Sequence, residues 1–176
     1  VIVVVCVILS THTTNETYTS TPTTSSSTSS NTSINDMYKA LWKTLTEAEL
    51  SSGISISYVY AVPHIVIVNN NTVTAIEIGE IEDKTFWNSM LSLQAKKSAG
   101  VIQIPVYTGQ TIIGHVNISE DRLNELLKNI VSGNGSHIIM YGLTTCPHCH
   151  NMYIFFKQNY ANIFTVYWLD TNKVEY

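Results

Sequence analysis

The sequence predicts an α/β protein, α+β in its N-terminal part, on two observations. Residues 137–141 (HIIMY) and 163–169 (IFTVYWL) are apolar runs on either side of one helical segment, the pattern of neighbouring parallel strands covered on both faces. Upstream lie two successive β-β-α segments, each a hairpin followed by an acid-capped helix. A chain of 176 residues, 44% apolar, has room for one ordinary domain or two small ones. Only 12% of residues are charged, the net charge is −4 and Arg122 is the single arginine, so a nucleic-acid partner held by phosphate neutralisation is excluded.

Residues 1–9 (VIVVVCVIL) form an apolar run too short for a span of roughly 20 residues. They read as the tail of a signal peptide or membrane anchor rather than as a strand. Residues 10–33 hold 18 Ser or Thr in 24 positions and read with residue 34 as a disordered stalk. Sequons at Asn15, Asn31, Asn70, Asn117 and Asn134, beside an anchor and a stalk, point to an extracytoplasmic, glycosylated surface where disulfides persist.

The folded part begins near Asn35. Asn35 and Asp36 are expected to cap a helix carrying Tyr38, Leu41, Trp42 and Leu45 on one face and stopping at Gly53. Strands are expected at 54–61, 64–68 and 72–78, with Asn69, Asn70 and Asn71 as the turn between the last two. Glu82 and Asp83 open a second helix reaching Lys96 and Lys97. Strands at 101–107 and 111–116 follow, then a helix from Ser119 with Leu123, Leu126, Leu127, Ile130 and Val131 at helical spacing. Val62-Pro63 and Ile104-Pro105 each precede a hairpin, which reads as a degenerate repeat of one unit.

The one strong motif is Cys146-Pro147-His148-Cys149, which opens a helix between the two apolar runs. With Cys6 the cysteines number three, too few for a disulfide scaffold, so the close pair is read as chemical. A cysteine just before the first turn of a helix meets unsatisfied N–H groups and the positive dipole end, which favour thiolate over thiol, and His148 pushes the same way. Cys146 is therefore expected to face outward as the attacking thiolate, with Cys149, one turn in, as the buried resolving thiol.

The strand, loop, Cys-Pro-His-Cys, helix and strand resemble the thioredoxin superfamily, and the Pro147-His148 dipeptide is similar to that of DsbA-type disulfide oxidases. The resemblance implies a protein-disulfide oxidoreductase, acting through Cys146 and Cys149 with His148 and Pro147 between them. Its partners would be thiol- or disulfide-containing proteins and a redox partner protein, with the membrane reached through the N-terminal segment. In that family a cis-proline faces the active disulfide, ahead of a hairpin and a last helix. Pro105 is the first candidate for that proline and Pro63 the second.

Residues 35–133 are thus expected to form a degenerate thioredoxin-like domain without a cysteine pair, which binds or positions substrate. Residues 136–176 would be the first half of a redox-active domain, with Pro105 in its own sheet and one side of Cys146 open to solvent. Rival readings use the same residues. His150 completes a Cys-x-x-Cys-His signature for c-type haem, with Met152 or Met140 as the second axial ligand, and the cysteines with His148 and His150 form a conceivable zinc or copper set. The redox reading needs neither cofactor nor metal. His12, His64, His115 and His137 stand singly and read as surface or strand-face residues.

Overall fold

Ser33 caps the first helix in the computed structural model, which describes residues 33–169 together with the backbone of Cys6–Val7 and Val174–Glu175. Its hydroxyl accepts from the Asp36 N–H at 3.3 Å and donates to the Asp36 carboxylate at 2.8 Å. This reciprocal cap starts α1 (Ile34–Ser51) slightly earlier than the expected Asn35. Tyr38, Leu41 and Leu45 line its buried face, and Gly53 ends it at φ 81°.

Residues 54–61 differ from the expected strand. The Ser55 carbonyl accepts from the N–H groups of Tyr58 and Val59, making a single turn, α2 (Ile56–Val59), before β2 (Ala61–Val62). The alternation misleads because Ile56 is 64% exposed while Ile54 and Val59 reach the core. β3 (His64–Asn69) and β4 (Thr72–Ile78) form the expected hairpin. Asn70 and Asn71 make its turn at φ 49° and 60°, the left-handed values a two-residue type I′ loop requires.

The second helix is shorter than its sequence suggests. Asp83 caps α3 (Lys84–Met90) through the N–H groups of Thr85 and Phe86. Lys96 and Lys97 are not at its C-terminus but in β5 (Lys96–Ser98). The tight turn at Ala99 and Gly100, both at positive φ, pairs β5 with the start of β6 (Val101–Thr108), and that pairing outcompetes helix. β7 (Thr111–Ser119) completes the second hairpin and α4 (Glu120–Leu127) follows from the Ser119 cap. After residues 133–135 come β8 (Ser136–Gly142), α5 (Pro147–Tyr160) and β9 (Phe164–Trp168).

One mixed sheet collects these strands in the order β9-β8-β3-β4-β6, with β5 beside β6 and β7 along its other edge; β10 (Val174–Glu175) joins β9. β8 and β9 are parallel, β3 is antiparallel to both β8 and β4, and β4 and β6 are parallel. The sheet therefore runs across the division expected between residues 133 and 136. The physical reason is β8: its central residues are buried, and β3 covers the edge that a two-stranded β8–β9 fragment would leave bare.

Helices α1 and α4 cover one face, packing Leu41, Leu45, Leu123 and Leu127 on Val66, Ile76, Ile104 and Ile139. On the other face α3 and α5 bring Trp87, Met152 and Phe156 onto Ile65, Ile67, Ile138 and Val166. Every residue of β3 and β4 is buried, as central strands covered on both sides must be. Asn70, Asn117 and Asn134, the three sequon asparagines within residues 33–169, are exposed.

Most of the apolar run 1–9 and of the stalk lies outside the described residues. Cys6–Val7 form β1, a two-residue pairing with Val62 and Ala61, where the sequence reading expects no strand. No described helix is long and apolar enough to cross a membrane.

Candidate functional site

Three strand ends meet where β8 stops. The antiparallel register sets His64 opposite both Tyr141 and Ile78, so residues 62–63, 79–82 and 142–146 gather at one end of the sheet. The Gly79 N–H donates to the Pro63 carbonyl at 2.9 Å, and the Leu169 N–H donates to the Gly142 carbonyl at 2.7 Å, which ties the edges of this cluster.

Cys146 caps α5 in extended backbone conformation, with Pro147 as the first helical residue. Its sulfur accepts the Cys149 N–H at 3.4 Å, so a first-turn amide donor points at the atom that would carry thiolate charge. Both cysteines are thiols in the structure. Cys149 is fully buried, as expected, but Cys146 is only 2% exposed rather than outward. The cover is the segment before β3, whose Val62 carbonyl lies 3.9 Å from the Cys146 sulfur.

The Val62–Pro63 peptide bond in that segment is cis, and it is the one cis bond among the described residues. Pro105, the first candidate, is therefore not cis. It sits inside β6 opposite His115, with β3 and β4 between β6 and β8, about 14 Å away by strand spacing. The side of Cys146 expected to be open is thus covered by Val62, the residue before the cis bond.

His148 turns toward the loop after β4. Its Nδ1 forms a short hydrogen bond with Glu80 Oε2, and the Asn151 amide donates to Glu80 Oε1 at 2.8 Å. Burial raises the Glu80 carboxyl, but the hydrogen bonds from His148, Asn151 and Glu82 outweigh it and hold it below the ordinary carboxylate range. Glu82 moves the opposite way, raised by burial and by its hydrogen bond to Glu80 and the Glu80 charge. Neither glutamate is visible as a site residue in the sequence. Glu80 and His148 are 68 positions apart, and Glu82 reads there only as a helix opener.

His150 Nε2 hydrogen-bonds the Thr144 carbonyl at 2.7 Å, and its ring packs on Trp168. Met140 and Met152 are buried, Met152 with its sulfur accepting the Ile81 N–H at 3.3 Å. No group of three or more His, Cys, Asp or Glu side chains is arranged as metal ligands among the described residues.

Gly142 is a further residue the sequence does not flag. A Cβ there would stand 3.2 Å from the Cys149 sulfur and 3.3 Å from the Trp168 ring. Both neighbours are buried, so Gly142→Ala is expected to destabilise the fold by about 1–3 kcal/mol. Urea unfolding of the variant checks this, and a midpoint equal to that of the parent would show that the Cys149 side chain yields freely.

Comparison with protein-family models, with curated proteins and with solved structures finds no match to this chain.

Proposed function

We propose that the chain is a thiol–disulfide oxidoreductase of thioredoxin-like type, exchanging disulfides with secreted or surface proteins through Cys146 and Cys149. The observation that carries it is the Cys146 sulfur, held between the Cys149 N–H and the cis Val62–Pro63 segment. Within the sheet, β9-β8-β3-β4 has β8 parallel to β9 and β3 antiparallel to its neighbours, with the cysteines after β8 and the cis-proline before β3. A cis-proline ahead of a hairpin and a helix is what the thioredoxin resemblance implies, here with that half preceding the cysteine half along the chain. Pro63, β3, β4 and α3 take the part the sequence reading left missing or gave to Pro105.

In the oxidation of the protein, the Cys146 thiolate attacks one sulfur of a partner disulfide. A Cys146–partner bond forms and the partner's other sulfur leaves as thiolate. Cys149, one helical turn on, then attacks the Cys146 sulfur, closing the Cys146–Cys149 disulfide and releasing the second partner thiolate. The two protons given up by the cysteines go to the two departing sulfurs, so the partner gains the two electrons that the cysteine pair loses. Substrate oxidation is the reverse. The N-terminal apolar run and the Ser/Thr-rich stalk fit display on the extracytoplasmic side, where such exchange has disulfide substrates.

Equilibration with glutathione buffers of graded ratio, acid quench and mass spectrometry test this. One reversible disulfide between Cys146 and Cys149, two hydrogens lighter than the dithiol, is the expected product. A pair that stays reduced through the whole range, or that takes up glutathione without closing, would overturn the assignment.

A further inference from the structure

We propose that Glu80 is the positioning residue of this site, holding His148 with Nδ1 protonated and Nε2 as the ring atom that exchanges a proton with the cysteine pair. The inference rests on the proposed redox chemistry and adds to it a residue from the loop after β4, at the same end of the sheet.

An ionised carboxylate accepts hydrogen bonds and donates none. The hydrogen bonds from His148, Asn151 and Glu82 hold Glu80 below the ordinary carboxylate range, so it is ionised at neutral pH. The hydrogen of the Glu80–His148 bond therefore belongs to Nδ1. A neutral His148 held in this way has its lone pair on Nε2, where a proton can be taken up two positions along the chain from Cys146.

Glu80 itself has little freedom. It follows Gly79, whose N–H is bound to the Pro63 carbonyl, and precedes Ile81, whose N–H is bound to the Met152 sulfur in α5. Trp87 Nε1–H holds the Ile81 carbonyl at 2.7 Å. The segment that presents Glu80 is thereby fixed to the cis-proline segment, to the cysteine helix and to α3 at once. A carboxylate that orients a histidine beside a cysteine is the general logic of an activated nucleophile. In the exchange step the Cys146 thiol proton passes to His148 Nε2 as the thiolate forms, and returns from there to the sulfur that leaves the partner disulfide. No electron passes through Glu80 or His148.

A double-mutant cycle reads the coupling. The rate of Cys146 alkylation by iodoacetamide at pH 7 is measured in the reduced full chain, in Glu80→Gln, in His148→Ala and in the double variant, with thermal unfolding of each to show that it is folded. Glu80→Gln keeps the size and a hydrogen-bonding oxygen but removes the charge that fixes the tautomer. It is expected to slow alkylation about tenfold when His148 is present and to change nothing when His148 is Ala. Glu80→Asp, which restores the charge, is expected to recover part of the rate and serves if the Gln variant does not fold. An unchanged rate in both backgrounds overturns the proposal. So does an equal change in both, which would make Glu80 a charge acting on Cys146 without His148. The glutathione titration of the parent protein separates this from the redox reading: absence of a reversible disulfide there fails the proposed function, whereas a normal disulfide with no coupling fails the role of Glu80 alone.

Discussion

Glu49→Ala is expected to lower the unfolding free energy by about 3–5 kcal/mol, because it strips a buried histidine of its partner. Glu49 in α1 and His64 at the start of β3 are both fully buried, with His64 Nε2 and Glu49 Oε1 2.9 Å apart. Trp42 packs edge-on against the His64 ring at 4.9 Å between centroids. His64 Nδ1 and Glu49 Oε2 have no hydrogen-bond partner among the described residues, so the single bond between the two side chains is what compensates their loss of water. Removing one partner leaves the other with nothing. Replacing both, Glu49→Met with His64→Leu, removes the polar groups together and is expected to recover more than half of the loss. Chemical denaturation of the three variants decides it, and a cost below about 1 kcal/mol for Glu49→Ala would mean that solvent reaches the pair.

That pair also shows what the sequence could not reveal. His64 stands alone in an apolar run and reads as a strand-face residue, while Glu49, four residues after Leu45, continues the apolar face of α1, so its burial is legible but its partner is not. Their meeting depends on how α1 crosses the sheet, a packing angle with no local signature. Most strands and helices were legible because periodicity and caps are local: Asp83 and Ser119 cap where expected, and the Asn70-Asn71 turn follows from residue type. The failures at residues 54–61 and 96–98 have one cause, the override of propensity by tertiary pairing and burial. At the site, Cys146, Cys149 and the start of α5 were legible as a motif. The cover over Cys146 was not, because it depends on which of two hairpins sits next to β8, and the two hairpins carry similar sequence signals. Val62-Pro63 rather than Ile104-Pro105 takes that place since β3, buried along its whole length, is the strand able to sit between β4 and β8. β6 alternates buried with exposed or half-buried residues and lies further from the centre of the sheet.

The stability of the protein is expected to fall as pH rises from about 4.5 to about 8, and Glu77 is the reason. Glu77 lies in the middle of the sheet on the face covered by α3 and α5, flanked in register by Ile65 and Tyr107. It is fully buried; Oε1 accepts the Gly109 N–H at 3.0 Å and Oε2 has no hydrogen-bond partner among the described residues. Burial raises its carboxyl from 4.5 to about 8, and the Gly109 bond opposes this only in part. In the unfolded chain the group ionises near its ordinary value while the folded chain still holds the proton, so the unfolded state gains with every step of pH between the two values. At about 1.36 kcal/mol per pH unit the full window amounts to something on the order of 5 kcal/mol, and above it the loss is complete. Glu77→Gln cannot ionise, and its amide oxygen can still take the Gly109 N–H. Urea unfolding of parent and variant at pH 5, 6.5 and 8 is expected to show the two diverging, the parent losing stability relative to Glu77→Gln as pH rises. Parallel profiles would show that Glu77 ionises in the folded protein at its ordinary value, with Oε2 reached by water.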